Sequence, residues 1–160
     1  MRNDSRLSRM LHILVHMARH DGPVTSDRIA EMLGTNPVVV RRTMSGLRDA
    51  GYVHSEKGHG GGWVITCDIE QVTLLDIYKA VGEPSLFAIG NERSNPDCMI
   101  EQVVNLAVDD ALREAESVLV ERFRSVSLGE LNRLFDARRA AENVSNPGIE
   151  STPQSGARRV

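Results

Sequence analysis

At 160 residues and 41% hydrophobic content, the chain is long enough for one compact domain plus an extension and apolar enough to bury a core. Two cysteines exclude a disulfide framework, no apolar run reaches the length of a membrane span, and no charged-then-apolar leader opens the sequence, so a soluble, reducing, cytoplasmic setting is expected. The net charge of −3 is unevenly divided: residues 1–66 hold nine lysines and arginines against six carboxylates, with all five histidines, and the remainder holds ten against sixteen, which predicts a local basic patch on an acidic body.

Residues 6–20 predict a first helix, with Leu7, Met10, Leu11, Leu14, Met17 and Ala18 on one face and Arg9, His12, His16 and His20 on the other. Histidines four apart meet on a helix surface and could hold a metal, but a solvated or subunit-facing polar side is the preferred reading. After Asp21-Gly22-Pro23, Thr25 is placed to cap a short helix to Leu33, Asp27 suits its positive end, and Gly34 can end it in the left-handed conformation. Asn36 followed by Pro37 starts another helix, which Gly51 closes after Ala50. The turn between the two is short, so the helices must cross.

On that second helix Val40, Met44 and Leu47 share one side, and Val38, Arg41, Arg42, Ser45 and Arg48 share the other. No carboxylate interrupts it before Asp49, whereas a solvated face usually mixes both signs. Such a face suits phosphates and guanine edges in a major groove. Two β-prone runs, 52–56 and 63–66, then flank Lys57-Gly58-His59-Gly60-Gly61-Gly62, which predicts a hairpin whose tip can approach a DNA backbone closely. The loop lacks GK[ST] and opens into a strand, so it is not read as a nucleotide cradle. Trp63 is expected to pack at the hairpin root rather than to touch a base.

Thr73 and Asp76 have capping-box spacing for a helix ended by Gly82, and residues 83–97 read as a connecting loop. Asp97 is placed to cap a long helix of about 27 residues over 98–124, about 40 Å at 1.5 Å per residue, with an apolar band of Ile100, Val104, Ala107, Val108, Ala111, Ala115, Val118 and Leu119. That exceeds what a small domain can cover, and the alanine ridge would admit another helix closely. Ser127 and Glu130 form a second capping-box pattern for a last helix over 128–140, and 141–160 has the composition of a disordered tail.

The run DRIAEMLGTNPVVVRRTMSGLRDAGYVHSEKGHGGGWVIT with VTLLDIYKAV, then SLFAIGNERSNPDCMIEQ and SLGELNRLF, resembles the Rrf-two family of winged-helix transcription regulators over roughly residues 5–136. The resemblance implies double-stranded DNA as partner and the long helix as the dimerisation element. Cluster-bearing members carry three closely spaced cysteines before that helix, and this chain has Cys98 alone there, which resembles the branch without a cluster. Some cluster-bearing relatives draw a ligand from the first helix, which makes His12 a weak metal candidate. Cys98 is a candidate sensing thiol, since a helix N-terminus favours thiolate while the adjacent Asp97 opposes it. An inert thiol and an atypical iron–sulfur or metal site are the other readings of Cys98, and Cys67 is read as structural.

The expected fold is mainly α with a small β-hairpin wing: a winged helix-turn-helix domain over 1–82, a loop over 83–97, a dimerisation helix and C-terminal helix over 98–140, and a tail. The expected DNA-contacting residues are Thr35, Asn36, Val38, Arg41, Arg42, Ser45 and Arg48, with Lys57, His59, Gly60 and Gly61 from the wing. Ile100, Val104, Ala107, Ala111, Ala115 and Val118 are the expected dimer contacts. The function read from these residues is a homodimeric repressor of a palindromic operator, redox-responsive through Cys98 or answering to a small-molecule effector. No cofactor, membrane contact or catalytic group is expected. The alternative is a metal-binding protein or small metal-dependent enzyme built on His12, His16, His20 and Cys98, which lacks a paired acid and base or a recognisable nucleophile.

Overall fold

The computed structural model describes residues 5–87 and 97–145, without the side chains of the last three. The middle of the expected loop, 88–96, and the tail from 146 onward lie outside the described residues. In chain order the elements are α1 (Arg6–Met17), α2 (Ser26–Leu33), α3 (Pro37–Asp49), β1 (Val53–Glu56), β2 (Gly62–Ile65), α4 (Leu74–Ala80), α5 (Met99–Ser125) and α6 (Leu128–Ser145).

α1 buries Met10, Ile13, Leu14 and Met17. It ends three residues before the expected His20, because Arg19 N–H donates to the His16 carbonyl (3.1 Å) and His20 N–H to the Met17 carbonyl (3.2 Å), tightening the last turn. His20 therefore leaves the helical face, and the expected ladder of three histidines is reduced to His12 and His16. The local signals for α2 and α3 hold. The Thr25 side chain accepts from Arg28 N–H (3.2 Å), Gly34 takes a φ of 58°, and the Asn36 side chain accepts from Val38 N–H (2.8 Å) with Pro37 at the first helical position.

β1 and β2 pair antiparallel from Val53 with Ile65 to Glu56 with Gly62. Val24 adds an antiparallel bridge on the other side of Trp63, each donating its N–H to the other's carbonyl at 3.0 and 2.9 Å. Gly62 makes that approach possible, since a Cβ there would lie 2.7 Å from the Val24 carbonyl carbon and oxygen. Trp63 is buried at the hairpin root as expected, and its indole N–H donates to Ser26 Oγ at 2.9 Å, fastening the wing to the start of α2.

The core gathers Ile13 and Leu14 of α1, Ile29 of α2, Val40, Met44 and Leu47 of α3, Val53 of β1 and Ile77 of α4. Each such side chain contributes about 1.5–3 kcal/mol of transfer free energy. α3 lies so close to α4 that a Cβ on Gly46 would stand 2.5 Å from the Ala80 carbonyl oxygen. Thr73 and Asp76 form the expected reciprocal box: Asp76 N–H donates to Thr73 Oγ1 (3.2 Å) and Thr73 N–H to Asp76 Oδ2 (2.8 Å). The chain returns to this corner much later. Leu74 N–H donates to the Val126 carbonyl and Leu128 N–H to the Val72 carbonyl, both at 2.9 Å, pinning the α5–α6 joint to the start of α4.

α5 has the expected 27 residues, but its N-cap is Cys98, in extended conformation at φ −96° and ψ 102°, and not Asp97. None of its residues is buried within the chain. Tyr78 of α4 meets Phe123 near its C-terminal end, with ring centroids 5.8 Å apart. Ser127 Oγ accepts from Glu130 N–H (3.1 Å) at the start of α6, which continues five residues past the expected end at 140. Ala140 and Ala141 are strong helix formers, and the Arg138–Glu142 ion pair (3.2 Å) spans that last stretch. Among the described residues no helix is long and apolar enough to cross a membrane.

Candidate nucleic-acid interface

α3 divides as its sequence predicts. Val40, Met44 and Leu47 are buried, while Val38, Arg41, Arg42 and Arg48 are exposed and Ser45 is half-buried. Val39, which sequence reasoning did not single out, is exposed beside Val38 and widens the apolar surface at the start of the helix. Its place one step from the core residue Val40 was the available signal. Arg48 is already engaged: its guanidinium donates to Ser45 Oγ (2.9 Å) and pairs with Asp49 (3.0 Å). Arg41 and Arg42 have no hydrogen bond or ion pair among the described residues.

At the N-terminal end of α3, Asn36 spends its side-chain oxygen on the cap and keeps its two amide donors. Thr35 is half-buried and donates its N–H to the Ala30 carbonyl (2.9 Å). At the wing tip Lys57, His59 and Gly60 are exposed, Gly61 is half-buried, and Gly58 and Gly60 take φ of 102° and 83°. A tip of this kind brings main-chain N–H groups toward a phosphate with little side-chain bulk in the way.

The expected dimer contacts stand together on α5, and Ile100, Val104, Ala107, Ala111, Ala115 and Val118 are all exposed. Ile100 keeps 77% of its surface and Val118 67%, values that single-chain packing does not explain. The sequence band also included Leu119, which is half-buried instead, because this end of the helix turns toward α4.

Cys98 is half-buried at the foot of α5, and Cys67 is half-buried against the core beyond β2, where burial pushes its thiol up. His12 is exposed, its ring centroid 4.7 Å from that of His16. Among the described residues no group of three or more histidines, cysteines or carboxylates is gathered as a metal would require. The arrangement gives the metal-enzyme alternative no support.

Comparison with known proteins gives the same direction. A family profile, Rrf2, described as an iron-dependent transcriptional regulator, matches residues 3–133. A Bacillus subtilis protein provisionally named as the HTH-type transcriptional regulator YwnA is 34% identical over 134 residues, covering 82% of this chain and 98% of that one. Among solved structures, IscR of T. potens superposes with a TM-score of 0.62 at 20% identity, over 88% of this chain and 90% of the other. CymR, the global cysteine regulator of B. subtilis, superposes with a TM-score of 0.54 at 23% identity, over 84% and 98%. These two likenesses show the fold.

The iron in the family's description finds no matching donor set here. Iron–sulfur clusters are held chiefly by several thiolates, and Cys98 is the one cysteine between α4 and α5 while Cys67 sits apart beside the wing. The two-strand wing, the crossed helices α2 and α3, and the match over most of its length make this chain a member of the Rrf2 (Rrf-two) family of winged-helix transcriptional regulators.

Proposed function

We propose that the protein acts as a homodimeric repressor, with α3 in the major groove and the glycine-rich wing against the adjacent backbone. The observation that carries this reading is the state of α3: one face is fully built into the core, and the other presents Arg41 and Arg42 with no partner among the described residues. Val38 and Val39 offer apolar contact to thymine methyls, and Lys57 and the Gly60 amide reach phosphate, while the Gly61 amide closes the wing turn on the Gly58 carbonyl (3.1 Å). Two copies joined through the exposed face of α5 would set the two reading helices against half-sites centred about 34 Å apart, or a multiple of it, on a two-fold symmetric operator.

Genome-wide recovery of bound DNA supplies the operator and tests its symmetry. On that operator, fluorescence anisotropy across a salt series should show Arg41→Ala, Arg42→Ala losing about one unit of salt slope for each arginine on phosphate, or about 1–3 kcal/mol of discrimination for each on a base. A folded double variant that binds with unchanged affinity and slope removes α3 from the recognition role.

A further inference from the structure

Between α1 and α6 lies a half-open groove of about 620 Å³, within the size range that small-molecule sites occupy. Leu11, Val15, Leu131 and Phe135 supply apolar walls. Its polar lining residues are Ser8, His12, His16, His20 and Arg19. No carboxylate lines it, in a chain whose carboxylates outnumber its lysines and arginines by 22 to 19.

Arg19 is fixed in place. Its Nη1 donates to Asn132 Oδ1 (2.7 Å), its Nη2 pairs with Asp136 Oδ1 (2.7 Å), and its guanidinium carbon stands 4.5 Å over the Phe135 ring. A guanidinium has five N–H donors in a rigid fork, so donors remain after both contacts with α6. His12 and His16 stand beside it with ring centroids 4.7 Å apart. Burial, then His12 and then Arg19, push the His16 imidazole below its ordinary value, so a negative charge would relieve this corner. Apolar walls beside a stacked guanidinium and two imidazoles suit a ring that carries a single negative group.

We propose that this cavity binds a small planar organic monoanion, a carboxylate on an aromatic body, with the ring against Phe135 and Leu11 and the carboxylate facing His12, His16 and Arg19. One residue of the site is shared with the neighbourhood of the wing root. His20 also borders a second cavity that contains Trp63, the residue that fastens the wing to the start of α2. As the entry point of a signal the site rests on the regulator reading above, but its occupancy is measured without DNA, so failure of either reading leaves the other standing.

The test uses the full chain with sodium benzoate as probe and benzyl alcohol as its uncharged counterpart. Calorimetry should give one benzoate per chain, and the His12 and His16 ring signals should shift in NMR. Benzyl alcohol should bind about tenfold more weakly or less, as should benzoate to His12→Gln, His16→Gln, the loss expected for charge-assisted hydrogen bonds. Val15→Phe should intrude on the place of the ring and weaken binding, and both altered histidines are exposed, so the paired variant decides if Val15→Phe fails to fold. Absence of benzoate binding at millimolar concentration overturns the proposal, as does binding that both variants retain in folded form. Sedimentation in which Val15→Phe disrupts self-association while benzoate has no effect also overturns it, because the cavity is then a contact between copies of the chain.

Discussion

His16 stands among positive neighbours. His12 and Arg19 lie on its own segment, and His20 and Arg28 border the cavity on its α2 side. Partial desolvation first, then His12 and then Arg19, hold it below the ordinary histidine value of 6.5. The unfolded chain therefore takes up a proton on His16 at a higher pH than the folded chain does. Folded stability must fall as pH drops through 6.5 toward the lowered folded value, and no penalty remains well above 6.5. Thermal melts on either side of that value should show the loss, and His16→Gln should flatten it; an identical pH slope in the variant would assign the effect to other groups. Cys98 carries a different expectation. Its half-buried place at the foot of α5 means that oxidation adds bulk where the long helix begins. Peroxide titrated against operator binding should lower affinity in the wild type and leave Cys98→Ser unaffected, with Cys67→Ser as control. Loss that persists in Cys98→Ser would make the residue a packing group.

At the scale of elements, α5 asks for a partner along its exposed apolar band. Ala111→Glu puts a carboxylate into the middle of the alanine ridge, where a close helix pair would bury it at high cost. Sedimentation should then show monomers at concentrations where the wild type is dimeric, with the circular dichroism spectrum unchanged. A monomeric wild type at micromolar concentration would sink the assignment before any substitution. The elements also show which features a sequence can reveal. Thr25, Asn36 with Pro37, and Thr73 with Asp76 mark helix starts through hydrogen bonds that span three residues or fewer, so the sequence is sufficient to read them. The α3 faces followed from helical period alone. What stayed hidden depends on distant partners or on choices between equal neighbours. The Val24 bridge to Trp63 crosses 39 positions, Arg19 meets Asn132 across 113, and the cap of α5 falls on Cys98 rather than Asp97 by backbone conformation alone. The Arg19 contacts built the candidate ligand cavity, which is why that site had no signature in the sequence beyond its histidines.

Across the whole molecule, α3 and α5 are joined through α4. α3 touches the α4 backbone at Gly46, and the start of α4 is bonded to the joint from which α5 extends. Mechanically this is a gear train: in the dimer proposed above, a displacement of α3 relative to α4 would be passed to the angle between two heads, and strain in the paired long helices would be passed back. One added methyl group at Gly46 is therefore a change of gear setting rather than a lost contact. Gly46→Ala must push α3 away from the Ala80 carbonyl, at a stability cost of about 1–3 kcal/mol for an overpacked contact. With its arginine face intact, the variant should select operators from a spacer library with a different half-site separation and bind the native spacing more weakly, since a displaced head loses several phosphate contacts together. An unaltered spacing preference would mean that slack exists elsewhere in the train, and that the distance between half-sites is set by α5 alone.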